Sequence, residues 1–269
     1  MHTRLATAVI IAAFAALGCW LLAGALMDPE PRSFFVAPQT DIAPALAAEF
    51  APSSGPATGS ASDDEPDAAP NPAAPAVVPR GTAERVDLAW ASRTAAATGI
   101  PLRVLRAYAG AELAAASEAP GCGIRWNTLA ALGFIESGHG THAGSAVGDD
   151  GVTRPGIFGM DLTGSSSARI TDTDGGVWDG KADIDRAVGP MQFIPATWET
   201  WGADGNADGV RDPQQIDDST LAAARYLCHD ANLTEPEDWR RAIFSYNHLD
   251  SYVDSVAQAA NDYASQASR

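Results

Sequence analysis

Only residues 82–269 of this 269-residue chain have the composition of a packed domain, and that limit constrains every other reading. Leu5 to Met27 is an uncharged, largely apolar run of 23 residues, preceded by His2 and Arg4 and followed by Asp28 and Glu30. It is long enough to cross a bilayer as a helix, and the flanking charges orient its amino end to the cytoplasm. A signal segment has a shorter core and a small-residue cleavage site, and Ala16, Leu17 and Gly18 make a poor acylation signal ahead of Cys19. Residues 1–27 are therefore expected to be an uncleaved single-pass anchor, with secretion after cleavage as the alternative. Residues 28–81 are rich in Pro, Ala, Ser and acidic side chains, which bury too little apolar surface to offset the entropy of ordering. They are expected to form a disordered linker.

Charge and cysteine usage narrow the function of the domain beyond the linker. Residues 81–269 carry 14 basic and 26 acidic side chains, a formal −12 out of the chain's −17. Such a domain has no electrostatic footprint for nucleic acid, whereas a neutral or mixed-charge polymer such as a glycan is compatible with it. Cys122 and Cys228 are the two cysteines of this part, and in an exported domain they can make one intramolecular disulfide.

Within the domain, residues 82–117 are Ala-rich with helical spacing broken at Thr98-Gly99-Ile100-Pro101, which predicts two helices. A third begins near the capping residues Asn127 and Thr128, and Leu129, Leu132 and Glu136 fall on one face of it. Glu136 thus takes a position that the pattern reserves for an apolar side chain, and Gly138 suits a left-handed cap just beyond it. Burial and the negative end of the helix dipole both raise a carboxyl's pKa, and a carboxyl protonated near neutrality is a general acid. The competing reading is an exposed helix-end glutamate with an ordinary pKa.

The remaining segments are individually ambiguous. Residues 138–180 lack helical period; short runs at 156–161 and 168–173 suggest a small hairpin, and the whole stretch suggests a substrate-lining lobe. His139 and His142 lie close together but have no third His or Cys nearby to complete a zinc site. Gln192 interrupts the apolar run Met191–Ile194, and a buried amide must pair with protein or ligand. Asp204, Asn206 and Asp208 alternate ahead of Gly209, and Val210 offers a backbone carbonyl, as in the first half of a calcium loop. Gln215 stands where that loop needs its closing glutamate, so closure would fall to Asp217 or Asp218; the alternative is a solvated acidic turn. Helices are expected from Ser219 to His229, from Trp239 to Asn247, and from Ser251 to Tyr263.

Taken together, FIESGHG around Glu136, RAVGPMQFIPATW at 186–198, DGNADGV at 204–210, DDSTLAAARYLC at 217–228 and FSYNHLDSYV at 244–253 resemble the membrane-bound lytic transglycosylase B family in its short actinobacterial form. The resemblance implies a mainly α, lysozyme-like domain with a small hairpin or loop lobe. It further implies non-hydrolytic cleavage of the MurNAc–GlcNAc β-1,4 bond of peptidoglycan, with Glu136 as sole acid and base and no catalytic cofactor. Gln192, Tyr246 and Asn247 match the family's glutamine and Tyr-Asn pair and are assigned to sugar contacts and to orienting the acid; Met191 and Ser137, beside these residues, join the substrate-binding set. Asp183 stands where some members have serine, which keeps a two-carboxylate hydrolytic muramidase in view. A non-catalytic, calcium-stabilised peptidoglycan-binding scaffold is the third possibility. The protein is expected to act as a monomer on glycan strands next to the membrane, with Asp204, Asn206, Asp208, Val210 and Asp218 holding a structural calcium.

Overall fold

The structure, a computed structural model, describes residues 80–163 and 169–269; the expected anchor and nearly all of the linker lie outside the described residues. Among the described residues a 3-10 turn at Thr82–Arg85 leads into seven helices: α1 (Leu88–Thr98), α2 (Leu102–Glu118), α3 (Trp126–Ser137), α4 (Pro195–Trp201), α5 (Ile216–Leu227), α6 (Pro236–Tyr246) and α7 (Asp250–Ala267). Two short strands, β1 (Ala146–Val147) and β2 (Thr153–Arg154), pair antiparallel, with Val147 opposite Thr153. Among the described residues no helix is long and apolar enough to cross a membrane.

The break between α1 and α2 obeys the expected chemistry. Gly99 takes the left-handed cap conformation at φ 72°, and Pro101 precedes α2, where a fixed φ suits a helix start. α3 is the centre of the domain, with α2 and α7 packed along it and α5 against α2. Its buried residues include Trp126, Thr128, Leu129, Ala131, Leu132 and Ser137, so it is enclosed on several faces, not on the single stripe that the sequence suggests. Gly133 is required there. A Cβ on it would lie 2.0 Å from the Tyr108 hydroxyl of α2.

The start of α3 departs from expectation. Asn127 and Thr128 lie inside the helix, and its first turn is capped from α2 by Glu112, whose Oε2 accepts the Trp126 N–H at 2.6 Å. Arg125 pairs with the same carboxylate at 3.3 Å. Burial pushes the Glu112 carboxyl up to about 7, against the opposing pull of Arg125 and of that N–H. A cap donated by another helix leaves no local mark on the sequence. Likewise α5 begins at Ile216, ahead of Ser219, because the Gln215 side chain accepts the Asp217 N–H at 2.6 Å and Asp217 and Asp218 fill the favoured acidic first turn.

The lobe after α3 is loop-rich, as its composition indicates. Among the described residues the expected hairpin of 156–161 and 168–173 shows the bridge Thr163 with Arg169, while Phe158 bridges Val188, which bridges Phe193. Cys122 and Cys228 form the expected disulfide and join the turn before α3 to the end of α5.

Candidate active site

Glu136 lies in the last turn of α3. Gly138 caps that turn at φ 59°, its N–H bonding the Phe134 carbonyl at 2.8 Å, and the His139 N–H reaches back to Gly133 at 2.9 Å. Glu136 keeps some solvent access, as a group that meets a substrate must, while protein atoms crowd its carboxyl. That crowding pushes its pKa up to about 7. A hydrogen bond from the Tyr252 hydroxyl of α7 to Oε1 acts in the opposite sense, because it favours the anion. Burial first and the Glu136 charge next hold the Tyr252 and Tyr246 hydroxyls well above the usual phenol value, so both remain donors.

Bonded to Ser137, the residue after the acid, is the turn from Gly189 to Gln192, which is gripped at two consecutive carbonyls. Ser137 donates to Pro190 at 2.7 Å and accepts the Gly140 N–H at 2.8 Å. Tyr246 donates to the Met191 carbonyl at 2.8 Å. These bonds hold Gln192 at φ 51°, a left-handed backbone unusual for a residue with a side chain, and its Nε2 bonds the Gly189 carbonyl at 2.9 Å. Strain held by surrounding hydrogen bonds fixes where the amide oxygen of Gln192 points.

The structure therefore separates the residues the sequence grouped. Tyr246 is reached by the Glu136 charge and bonds the turn that carries Gln192, and Asn247 follows Tyr246 half-buried, its amide without a hydrogen-bond partner among the described residues. Ser137 and Met191 are buried, at 4% and 0% exposure, which leaves a sugar no surface to touch on them; their part is to fix the turn. Asp183 is exposed and bonds to none of the groups around Glu136. His139 is buried between the Tyr108 and Tyr263 hydroxyls, at 3.0 and 2.8 Å, and burial lowers its pKa to about 4, so both ring nitrogens are occupied and the ring is neutral.

In the acidic loop, Asp204, Asn206 and Asp208 direct side-chain oxygens onto their own backbone N–H groups, including Asp204 to Gly209 at 2.9 Å. Val210 is exposed, and its N–H is one of these donors. Asp218, fully buried, instead accepts the N–H groups of Gly205, Asn206 and Asp212. A different trio, Asp172, Asp174 and Asp185, brings three carboxylate oxygens within 4.8 Å of one another, and Asp185 there also takes both donors of Thr173.

Tyr252 escaped the sequence reading. It shares the buried face of α7 with Val256, Ala260 and Tyr263, so its ring reads as core; only its hydroxyl, reaching a carboxyl 116 residues away, marks it as part of the site. Replacing Tyr252 with Phe removes a bond that favours the anion, so the Glu136 pKa should rise and activity should persist to higher pH. The maximal kcat should fall about tenfold because the carboxyl is no longer aimed. A pH–rate profile of the variant checks both; an alkaline limb that moves to lower pH would contradict the assignment.

A central helix that ends in one carboxyl held near neutrality, beside tyrosine hydroxyls and a strained glutamine turn, in a mainly helical domain, is an arrangement suited to acid catalysis and consistent with a lysozyme-like fold. The sequence matches the family described as Transglycosylase SLT domain over residues 115–268, more than half of the chain, and the chain belongs to that family. It is an enzyme of the lytic transglycosylase type acting on peptidoglycan, and the matched region contains α3 to α7 with the whole site. No curated protein and no solved structure matches the chain.

Proposed function

We propose that this protein cleaves the MurNAc–GlcNAc β-1,4 bond without water, in the manner of the B-type lytic transglycosylases, with Glu136 as the only acid and base. Protonated Glu136 gives its proton to the glycosidic oxygen as the C1–O bond breaks, and the substrate's acetamido group stabilises the developing cation. The resulting carboxylate takes the proton from the muramyl C6 hydroxyl, whose oxygen bonds to C1 and closes the 1,6-anhydro ring. Two-carboxylate glycosidases divide these tasks between partners. The observation that carries the reading is the company Glu136 keeps: among the described residues its carboxyl accepts from the Tyr252 hydroxyl and its charge acts on Tyr246 and Tyr252, while Asp183, the candidate second carboxylate, bonds to none of these groups. Tyr252 stabilises the anion in the second half of the cycle, and Gln192 and Asn247 hold the sugar.

Mass spectrometry of muropeptides released from purified peptidoglycan tests this. Products lighter by one water than those of a muramidase are expected. Reducing ends would move the assignment to hydrolysis, and binding without release to a scaffold.

The chain acts as a monomer and works from the membrane through residues 1–27. Asp204, Asn206, Asp208 and the Val210 carbonyl hold a structural calcium, with Asp218 closing the loop from α5; in support, Gly209 makes the sharp turn at φ 88° that such a loop needs. Millimolar calcium should raise the melting temperature by several degrees and chelator should reverse it; a melt indifferent to both would remove the ion from the account.

A further inference from the structure

Among the described residues Arg186 is held in place, over a ring, without an acid to neutralise it. Phe158 leaves 38% of its surface exposed, and the Arg186 guanidinium lies over its ring, 4.4 Å from the centroid. Arg186 Nε and Nη2 both donate to the Asp179 carbonyl, at 3.0 and 2.6 Å, which fixes the plane of the group. The Asp179 carboxylate is occupied elsewhere, by the Lys181 and Arg186 backbone N–H groups. Among the described residues Arg186 therefore has no carboxylate partner, and its Nη1 donates to nothing. Arg103, Arg125, Arg154, Arg225, Arg240 and Arg241 each pair with an acid, and Arg106, which like Arg186 spends Nε and Nη2 on one carbonyl and meets no acid, is not laid on a ring among the described residues. In so acidic a domain, a guanidinium stacked and pinned with one edge free is a prepared site for an anion.

Its position gives the anion a source. Phe158 bridges Val188, and the Gly159 N–H bonds the carbonyl of Ala187, the neighbour of Arg186, at 2.8 Å. A Cβ on Gly159 would lie 2.9 Å from the Gln192 amide oxygen. The stacked pair thus flanks the two short segments against which the sugar-contacting glutamine rests. We propose that Arg186, laid on Phe158, binds a free carboxylate of the stem peptide that branches from the glycan, so that the enzyme prefers peptide-bearing strands. This rests on peptidoglycan as the substrate. The glycan backbone is neutral, and its stem peptides carry the free carboxylates that a planar fork recognises.

The test uses the full chain in detergent. Calorimetry with an isolated stem peptide needs no turnover, and the peptide should bind the wild type about tenfold more tightly than Arg186→Gln, the size of one charge-assisted hydrogen bond. Arg186→Lys keeps the charge but loses the fork, and it should recover less than half of that difference. Equal affinity of wild type and Arg186→Gln, with both shown folded by matching thermal melts, overturns the proposal. On lytic assay, the ratio of kcat/KM for peptide-bearing peptidoglycan to that for amidase-stripped glycan should fall about tenfold in Arg186→Gln. A wild type that binds the peptide through Arg186 yet releases no anhydro ends would sustain this inference while removing the lyase reading.

Discussion

Replacing Glu136 with Gln should lower kcat on peptidoglycan about a thousandfold or more, because the amide can neither give the proton to the leaving oxygen nor take one from the C6 hydroxyl. Glycan affinity should change less than about threefold, since the amide keeps the shape and one acceptor. Lytic activity within tenfold of wild type would remove Glu136 from its role. With Glu136 as the proposed acid, the wild-type profile should follow the same group. An acid lifted to about 7 is lost as pH rises through about 7, so turnover should be sustained in mild acid and decline above neutrality. The sign for stability agrees. A carboxyl whose folded pKa exceeds its unfolded value contributes its full stability below the unfolded value, and that contribution disappears as pH climbs through the folded one. Glu136 and Glu112, both raised from 4.5 to about 7, each make the fold weaker above neutrality. Glu136→Gln should therefore melt at a higher temperature than wild type at pH 8, by a margin that shrinks at pH 5. A calorimetric scan at the two pH values measures it.

Converting Cys122 and Cys228 to Ser should cost up to about 4–5 kcal/mol, because the bridge closes a loop with a sequence separation of 106. For a domain of this size that corresponds to about 10–15 °C in melting temperature. The location sharpens the expectation. Cys122 sits in the turn that feeds α3, where the Leu233 N–H also bonds its carbonyl at 2.6 Å, and Cys228 ends α5. Loss of the bridge frees the amino end of the helix whose far end carries the acid. Melting with and without reductant, read by circular dichroism, measures the effect; a shift below about 3 °C would show that the packing of α2, α3 and α5 suffices alone.

What the sequence disclosed depended on whether a feature was local. The break at Gly99 to Pro101 and the cap at Gly138 are backbone matters decided by one or two residues, and each was legible. Glu136 was legible because a charge on an apolar helix has few reasons to be there. Glu112 as the cap of α3, and Tyr252 as the partner of the acid, were not legible. Each acts on an element distant in the chain, through a side chain that its own helix pattern explains equally well as core or surface. Ser137 shows the opposite error. Adjacency to the acid suggested substrate contact, whereas its hydroxyl is consumed by Pro190 and Gly140. The lobe from 138 to 180 gave up its irregularity to composition but not its bridges, since isolated pairs such as Phe158 with Val188 obey no period.

The way the domain begins has a mechanical corollary. The Thr82 N–H bonds the Gly205 carbonyl at 2.7 Å, and the Arg106 fork holds the Ala83 carbonyl at 2.9 and 3.1 Å. Gly110 of α2 lies so close beneath that a Cβ there would stand 2.5 Å from the Thr82 carbonyl. Tension applied to the chain ahead of residue 80 is thus delivered in shear to α2 and to the acidic loop. The contact between Glu136 of α3 and Tyr252 of α7 takes no part in these bonds, so such a load would meet the first turn, α2 and the acidic loop before it reached that pair.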